Sequence, residues 1–138
     1  VTGQLGGSNQ GKHFKFIPRI REARFLARNF KVNAMLDISD GLAQDIGHIL
    51  EQSRVGAIIY ADLIPLSKQA LDLRDALYRG EDFELVFTLS RKEAKKLTEK
   101  KLTNFTPIGE IVDKRYGLRI IDAQGKEKII KPRGYTHF

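Results

Sequence analysis

The stretch Asn33-Ala34-Met35-Leu36-Asp37-Ile38-Ser39-Asp40-Gly41 constrains this chain more than any other, because two periodicities meet across it. Up to Leu36 the residues suit a half-buried strand, and beyond Gly41 the residues Leu42, Ile46, Ile49 and Leu50 recur at the spacing of one helical face. A chain that passes from strand to helix within a few residues has to build a sheet with a helix packed beside it. The same junction carries two carboxylates and a hydroxyl, on Asp37, Asp40 and Ser39. Side chains and free backbone N–H groups at such a turn can converge on one point, a common way to hold a metal-bound phosphate. Capping the helix would need only Ser39 or Asp40. Asp37 and the other candidate are left for a second task.

The remaining segments fill in the fold. Pro18 fits the first turn of a helix whose apolar stripe is Ile20, Ala23, Ala27 and Phe30. After the helix that follows Gly41, Gly56 supplies a stop and residues 57–61 a short buried strand. Pro65 marks a turn, Ser67 can cap a helix carrying Ala70, Leu73 and Leu77, and Gly80 ends it. Phe83, Leu85, Phe87 and Leu89 alternate with Glu84, Val86 and Thr88, the clearest strand pattern in the chain. Ser90 with Glu93 is a capping box opening a lysine-rich helix. Strands are expected over 108–112, 118–121 and 128–130, with Asp122-Ala123-Gln124-Gly125 as the hairpin turn. Roughly six strands and four helices in mixed order predict an α+β fold, a mixed sheet covered by helices, with residues 1–138 forming a single domain.

Composition removes several function classes. A length of 138 residues, 41% of them hydrophobic and 30% charged, suits one domain with its own core. The absence of cysteine excludes disulfides, thiolate zinc sites and a cysteine nucleophile. His13, His48 and His137 share no metal-ligand spacing, so a zinc site is not expected. No apolar run approaches the roughly 20 residues of a membrane span, and no charged-then-apolar leader opens the chain. The expectation is a cytoplasmic protein without membrane contact. The net charge of +7 invites a nucleic-acid partner. However, Lys92, Lys95, Lys96, Lys100 and Lys101 are interleaved with Glu93 and Glu99, and Arg21, Arg24 and Arg28 fall at helical spacing. Both groups read as solvated helix faces, and no RNA-recognition, KH or zinc-finger pattern accompanies them. The opening Thr2-Gly3-Gln4-Leu5-Gly6-Gly7-Ser8-Asn9-Gln10-Gly11 reads as a flexible or domain-joining loop, since no Gly-Lys-Ser/Thr closes it into a P-loop.

Five ordered motifs give a more specific reading. Asp37-Ile38-Ser39-Asp40-Gly41-Leu42 leads into Asp45-Ile46-Gly47-His48-Ile49. Around it stand Thr2-Gly3 with Leu5-Gly6 and Ser8, then Gly80-Glu81-Asp82-Phe83-Glu84-Leu85, then Ile108-Gly109-Glu110-Ile111, then Gly134-Tyr135-Thr136-His137-Phe138. Together they resemble the carboxy-terminal domain of thiamine-monophosphate kinases, within the superfamily of aminoimidazole ribonucleotide synthetase. Two positions depart from the family pattern: Arg79 stands at the first glycine of Gly-Gly-Glu-Asp, and Thr136 at the usual Asp of Gly-Tyr-Asp-His-Phe.

The resemblance implies one half of an ATP-dependent kinase that converts thiamine monophosphate to thiamine diphosphate with Mg²⁺. The amino-terminal half, with most of the ATP site, is expected to lie outside this chain, and this half alone to be inactive. The family's motifs put Mg²⁺ on Asp37 and Asp40, an ATP contact on Ser39, and the thiamine moiety on Glu81 and Tyr135. They assign no role to Asp45, leave Asp82 and Glu84 to loop structure or a sheet face, and imply a homodimer for the full-length enzyme. Two alternatives stay open: another ATP-using member of the superfamily, and a non-catalytic module that binds a nucleotide or nucleic acid.

Overall fold

The computed structural model describes residues 1–11, 14 and 16–132. Its elements, in order, are α1 (Ile20–Asn29), β1 (Val32–Asp37), α2 (Leu42–Ser53), β2 (Gly56–Tyr60), α3 (Leu73–Tyr78), β3 (Leu85–Leu89), α4 (Arg91–Glu99), β4 (Gly109–Val112), β5 (Leu118–Ile121) and β6 (Glu127–Ile129). The strands form two sheets. β1 and β3 make an antiparallel ribbon, and β4-β2-β5-β6 make a mixed sheet in which β2 and β5 run parallel. The architecture is the expected α+β.

The β1–β3 ribbon is covered on both faces, and a bulge makes this possible. Val32 pairs with Leu89 but Ala34 with Thr88, so β1 spends one extra residue at Asn33. Because strand side chains alternate, that extra residue sends Val32 to the opposite face from Ala34 and Leu36. Ala34, Leu36 and Val86 pack into the main core with Ile38, Leu42, Ile46 and the β2 and β5 residues Ile59 and Ile120. Val32, Phe87 and Leu89 join a second core with Leu26, Phe30, Leu97, Phe25 and Phe105. The alternation over 83–89 is therefore a split between two cores, and Val86 is one of the buried residues. Phe83 stands outside the strand with φ 53.

Local expectations are revised at three helices. In α1 the buried positions are Leu26 and the capping Phe30, while Ile20 is 57% exposed. The stripe of α1 follows the second core rather than the Ile20 and Ala27 line. α3 starts later than expected: Asp72 is its N-cap and accepts from the Asp75 amide, whereas the Ser67 hydroxyl donates to the Gly6 carbonyl. α2 is closed by Arg54 in the left-handed conformation, not by Gly56. Gly56 opens β2 because a Cβ there would lie 2.7 Å from the carbonyl oxygens of Asp113 and Gly117. Ser90 caps α4 as expected, accepting from the Glu93 amide, but the Glu93 carboxylate accepts from Lys96 and the Lys31 amide instead of closing a capping box; the turn over 122–125 forms, with Asp122 accepting from the amides of Gln124 and Lys126.

The glycine-rich opening is packed rather than loose. Thr2 bridges to Phe105 and Leu5 to Leu66, both residues being fully buried. The Gly6 amide donates to Asp82 and the Gly7 amide to Asp75, each a buried carboxylate. Glycine is needed here for approach, since a Cβ on Gly7 would lie 2.7 Å from that of Gln69. Among the described residues, no helix is long and apolar enough to cross a membrane.

Candidate active site

The site is built where two loops distant in sequence are laced together backbone to backbone. The first is the β1–α2 junction, residues 37–41, and the second runs over 80–84 ahead of β3. The Ile38 amide donates to Glu84 O at 2.7 Å, Glu81 N to Ser39 O at 2.8 Å, and Phe83 N to Ile38 O at 2.9 Å. Ser39, the ATP candidate, and Glu81, the substrate candidate, are thus brought together. Gly80 permits the approach: its φ is +72, and a Cβ would collide with the Ser39 carbonyl oxygen. Glu81 and Phe83 adopt φ 56 and 53, the left-handed region that non-glycine residues rarely occupy. Such conformations persist only where surroundings hold them, and here the three cross-loop bonds do so.

The junction itself is turned inward. Asp45, in the first turns of α2, is 2% exposed. Its Oδ2 accepts from Ser39 N at 3.0 Å and from Asp40 N at 3.1 Å. The two amides that a phosphate could have used are therefore occupied by a protein carboxylate. Burial pushes the Asp45 carboxyl above its usual range, against the opposing pull of the Asp40 and Ser39 amides. The outward face of the junction is left to acidic side chains, with Asp37 exposed at the end of β1 and Ser39 and Asp40 half-buried. Gly41, with φ +113, lets α2 begin against α3, where a Cβ would lie 2.9 Å from the Leu77 carbonyl oxygen.

Ligand atoms of Asp40, Asp45 and His48 lie within 4.8 Å of one another, and Asp37 is not in that group. The donors offered by Asp37 and Asp40 are hard carboxylate oxygens. That chemistry fits Mg²⁺, which needs one or two carboxylates and otherwise keeps water and phosphate oxygens.

The 80–84 loop is anchored from behind. Glu84 is 4% exposed and takes a two-pronged ion pair from Arg19, Nε and Nη2 each at 2.7 Å, plus a hydrogen bond from the Thr2 hydroxyl at 2.7 Å. The carboxylate of Glu84 holds the Arg19 guanidinium above its ordinary pKa. Paired charges of this fork geometry are the kind a protein can bury. Asp82 anchors the opening segment through Gly6, as loop structure. The Phe83 ring packs against that of Phe16, tilted by 32° with centroids 4.3 Å apart. Together with Phe14 and Ile17 they wall an open cavity of about 430 Å³ that Arg19, Asp82 and Glu84 also line.

The Arg79 departure is accommodated. Arg79 has ordinary helical backbone angles, φ −87 and ψ −31, and its Nε lies 3.0 Å from Asp75 Oδ1, so of this pair only Gly80 takes a positive φ. Tyr135 and Thr136 lie outside the described residues. Sequence reasoning missed Asp45, Arg19 and Thr2. Asp45 had left a signal: it lies one turn after Leu42 and one before Ile49, an acid inside the apolar stripe of a helix. A carboxylate in that stripe requires donors of its own.

Residues 2–121 match the family described as AIR synthase related protein, C-terminal domain. Thiamine-monophosphate kinase from Buchnera aphidicola subsp. Schizaphis graminum is 47% identical over 137 residues, which cover 92% of this chain and 42% of that protein. The enzyme of the same name from Bacillus subtilis is 32% identical over 168 residues, covering 100% of this chain and 51% of its own length. The chain thus spans about half the length of the curated relatives it matches. Among solved structures, thiamine-monophosphate kinase from Stenotrophomonas maltophilia superposes with a TM-score of 0.73 at 30% identity, covering 87% of this chain and 48% of that one. AaThiL complexed with AMPPCP and TMP gives 0.73 at 25% identity, with 99% and 50% covered. The hydrogenase maturation protein HypE from E. coli, at 18% identity and a TM-score of 0.73 over 97% of this chain and 48% of that one, shares the fold.

Proposed function

The chain belongs to the family of AIR synthase related protein C-terminal domains, and on that premise we propose that it is the carboxy-terminal half of an ATP-dependent thiamine-monophosphate kinase. One observation carries the reading. The loop bearing Asp37, Ser39 and Asp40 and the loop bearing Glu81 are laced together by three backbone hydrogen bonds, which supports a reading in which Ser39 would serve the nucleotide and Glu81 the acceptor. The relatives bearing that name, and the AaThiL complex with AMPPCP and TMP, support the choice of substrates.

The chemistry suits these residues. A phosphate monoester has a second pKa of about 6, so the acceptor is largely ionised at neutral pH and needs no strong base. What phosphoryl transfer needs is alignment and charge neutralisation. Asp37 and Asp40 would hold Mg²⁺, which when bound neutralises phosphate oxygens. The Ser39 hydroxyl would donate to an ATP phosphate. Glu81 would face the cationic thiazolium or accept from the aminopyrimidine. Tyr135 joins this proposal on its motif alone, as a ring that stacks on the thiamine moiety.

In the full-length enzyme the remaining metal ligands and most of the ATP site come from a preceding domain, and the enzyme is a cytoplasmic homodimer. The test is turnover: a full-length enzyme carrying this chain should form thiamine diphosphate from ATP and thiamine monophosphate. Hydrolysis of ATP without dependence on thiamine monophosphate would overturn the assignment.

A further inference from the structure

We propose that Asp45 is a positioning residue of this site, one that fixes the β1–α2 junction as a cation-facing loop; this rests on the kinase reading above. Successive backbone amides at a turn before a helix ordinarily form an anion-binding concavity, reinforced by the helix dipole. In this chain the concavity over Ser39 and Asp40 is filled from inside by the Asp45 carboxylate, at 3.0 and 3.1 Å. The helix supplies that carboxylate from its own fourth position, and the Gly41 cap contributes no side-chain bond.

Two consequences follow from the geometry. First, phosphate cannot take the Ser39 and Asp40 amides, so the junction would recognise phosphates through a metal that its outward carboxylates would hold. Second, with both amides pinned to the helix, the backbone of Ser39 and Asp40 keeps one orientation. The Ser39 carbonyl is then free to receive the Glu81 amide at 2.8 Å. Asp45 touches neither substrate in this scheme. It acts through the backbone it holds, and it is nearly fully buried while Asp40 is only half-buried.

The experiment compares Asp45→Asn with Asp45→Ala in the full-length enzyme. The asparagine oxygen can accept from both amides, whereas alanine cannot. Two readouts are independent of activity: hydrogen–deuterium exchange of the peptide over residues 37–41, and the number of tightly bound Mn²⁺ ions by electron paramagnetic resonance. Asp45→Ala should raise exchange of that peptide at least tenfold and lose one tight ion. Asp45→Asn should keep the ion and stay within about threefold of the unmodified exchange rate. Should alanine prevent folding, Asp45→Ser, whose hydroxyl cannot span both amides, serves the same comparison. Loss of the ion in both variants would make Asp45 a ligand. Retention in both would make it a packing residue. Either result overturns the proposal. In the turnover assay, Asp45→Ala should raise the Mg²⁺ concentration at half-maximal rate about tenfold. Absence of turnover in the unmodified enzyme would refute the kinase reading and leave the exchange and Mn²⁺ results to decide the role of Asp45.

Discussion

Replacing Gly80 by alanine tests whether the two loops of the site are held by close backbone approach. Gly80 has φ +72, and an added Cβ would meet the Ser39 carbonyl oxygen, then the Asp40 carbonyl carbon at 2.8 Å and its Cα at 3.0 Å. Forcing alanine into the left-handed region costs about 1–2 kcal/mol. The collision is with backbone, which cannot swing aside as a side chain end would, so the Glu81 amide must leave Ser39 O, a loss of about 1 kcal/mol. The total expected for Gly80→Ala is about 2–3 kcal/mol. Gly125 is an internal control: its φ is +78, and a Cβ there meets nothing within 4 Å. Gly125→Ala should cost only the conformational part, about 1–2 kcal/mol. Urea unfolding measures the difference. With a slope of about 1–3 kcal/mol per M, Gly80→Ala should unfold at a midpoint lower than Gly125→Ala by on the order of 1 M. In the full-length enzyme Gly80→Ala should impair turnover and Gly125→Ala should not. Equal midpoints for the two variants would refute the argument that contact with Ser39 and Asp40 fixes Gly80.

Leu26→Ala, at a fully buried position of the second core, should cost about 2–5 kcal/mol in urea unfolding, while Ile20→Ala, more than half exposed, should stay within about 0.5 kcal/mol. In the full-length enzyme, Asp37→Asn or Asp40→Asn should lower turnover by about 3–4 kcal/mol at the transition state with unfolding unchanged; near-normal turnover at limiting Mg²⁺ would reduce the motif to a helix cap. Glu81→Gln and Tyr135→Ala should each raise the KM for thiamine monophosphate roughly tenfold, about 1.4 kcal/mol, with a smaller change for ATP; equal effects on both substrates would assign these residues to site closure. The chain by itself should unfold cooperatively, since its cores are built from its own residues, yet show negligible kinase activity; full turnover from the chain alone would refute the division of the site between two domains.

The sequence by itself determined the elements whose signals are local. Hydrophobic period set β1, α2 and β5; a serine and a glutamate three apart set the start of α4; an Asp-x-x-Gly turn set the β5–β6 hairpin. Such signals are readable because the interactions that satisfy them lie within a few residues. The acidic junction stood out as a candidate for the same reason, since its unusual residues are consecutive. Tertiary structure decided the rest. Which stripe of α1 is buried depends on a core supplied by Leu97, Phe87 and Phe105, far along the chain. The glycines near the start pack tightly because Asp75 and Asp82 reach their amides. The lacing of residues 38–39 to 81–84, the filling of the junction by Asp45 and the anchoring of Glu84 by Arg19 all join groups whose energies depend on burial and direction. A carboxylate's partners are set by which donors the fold brings within 3 Å of it, and linear order does not carry that distance.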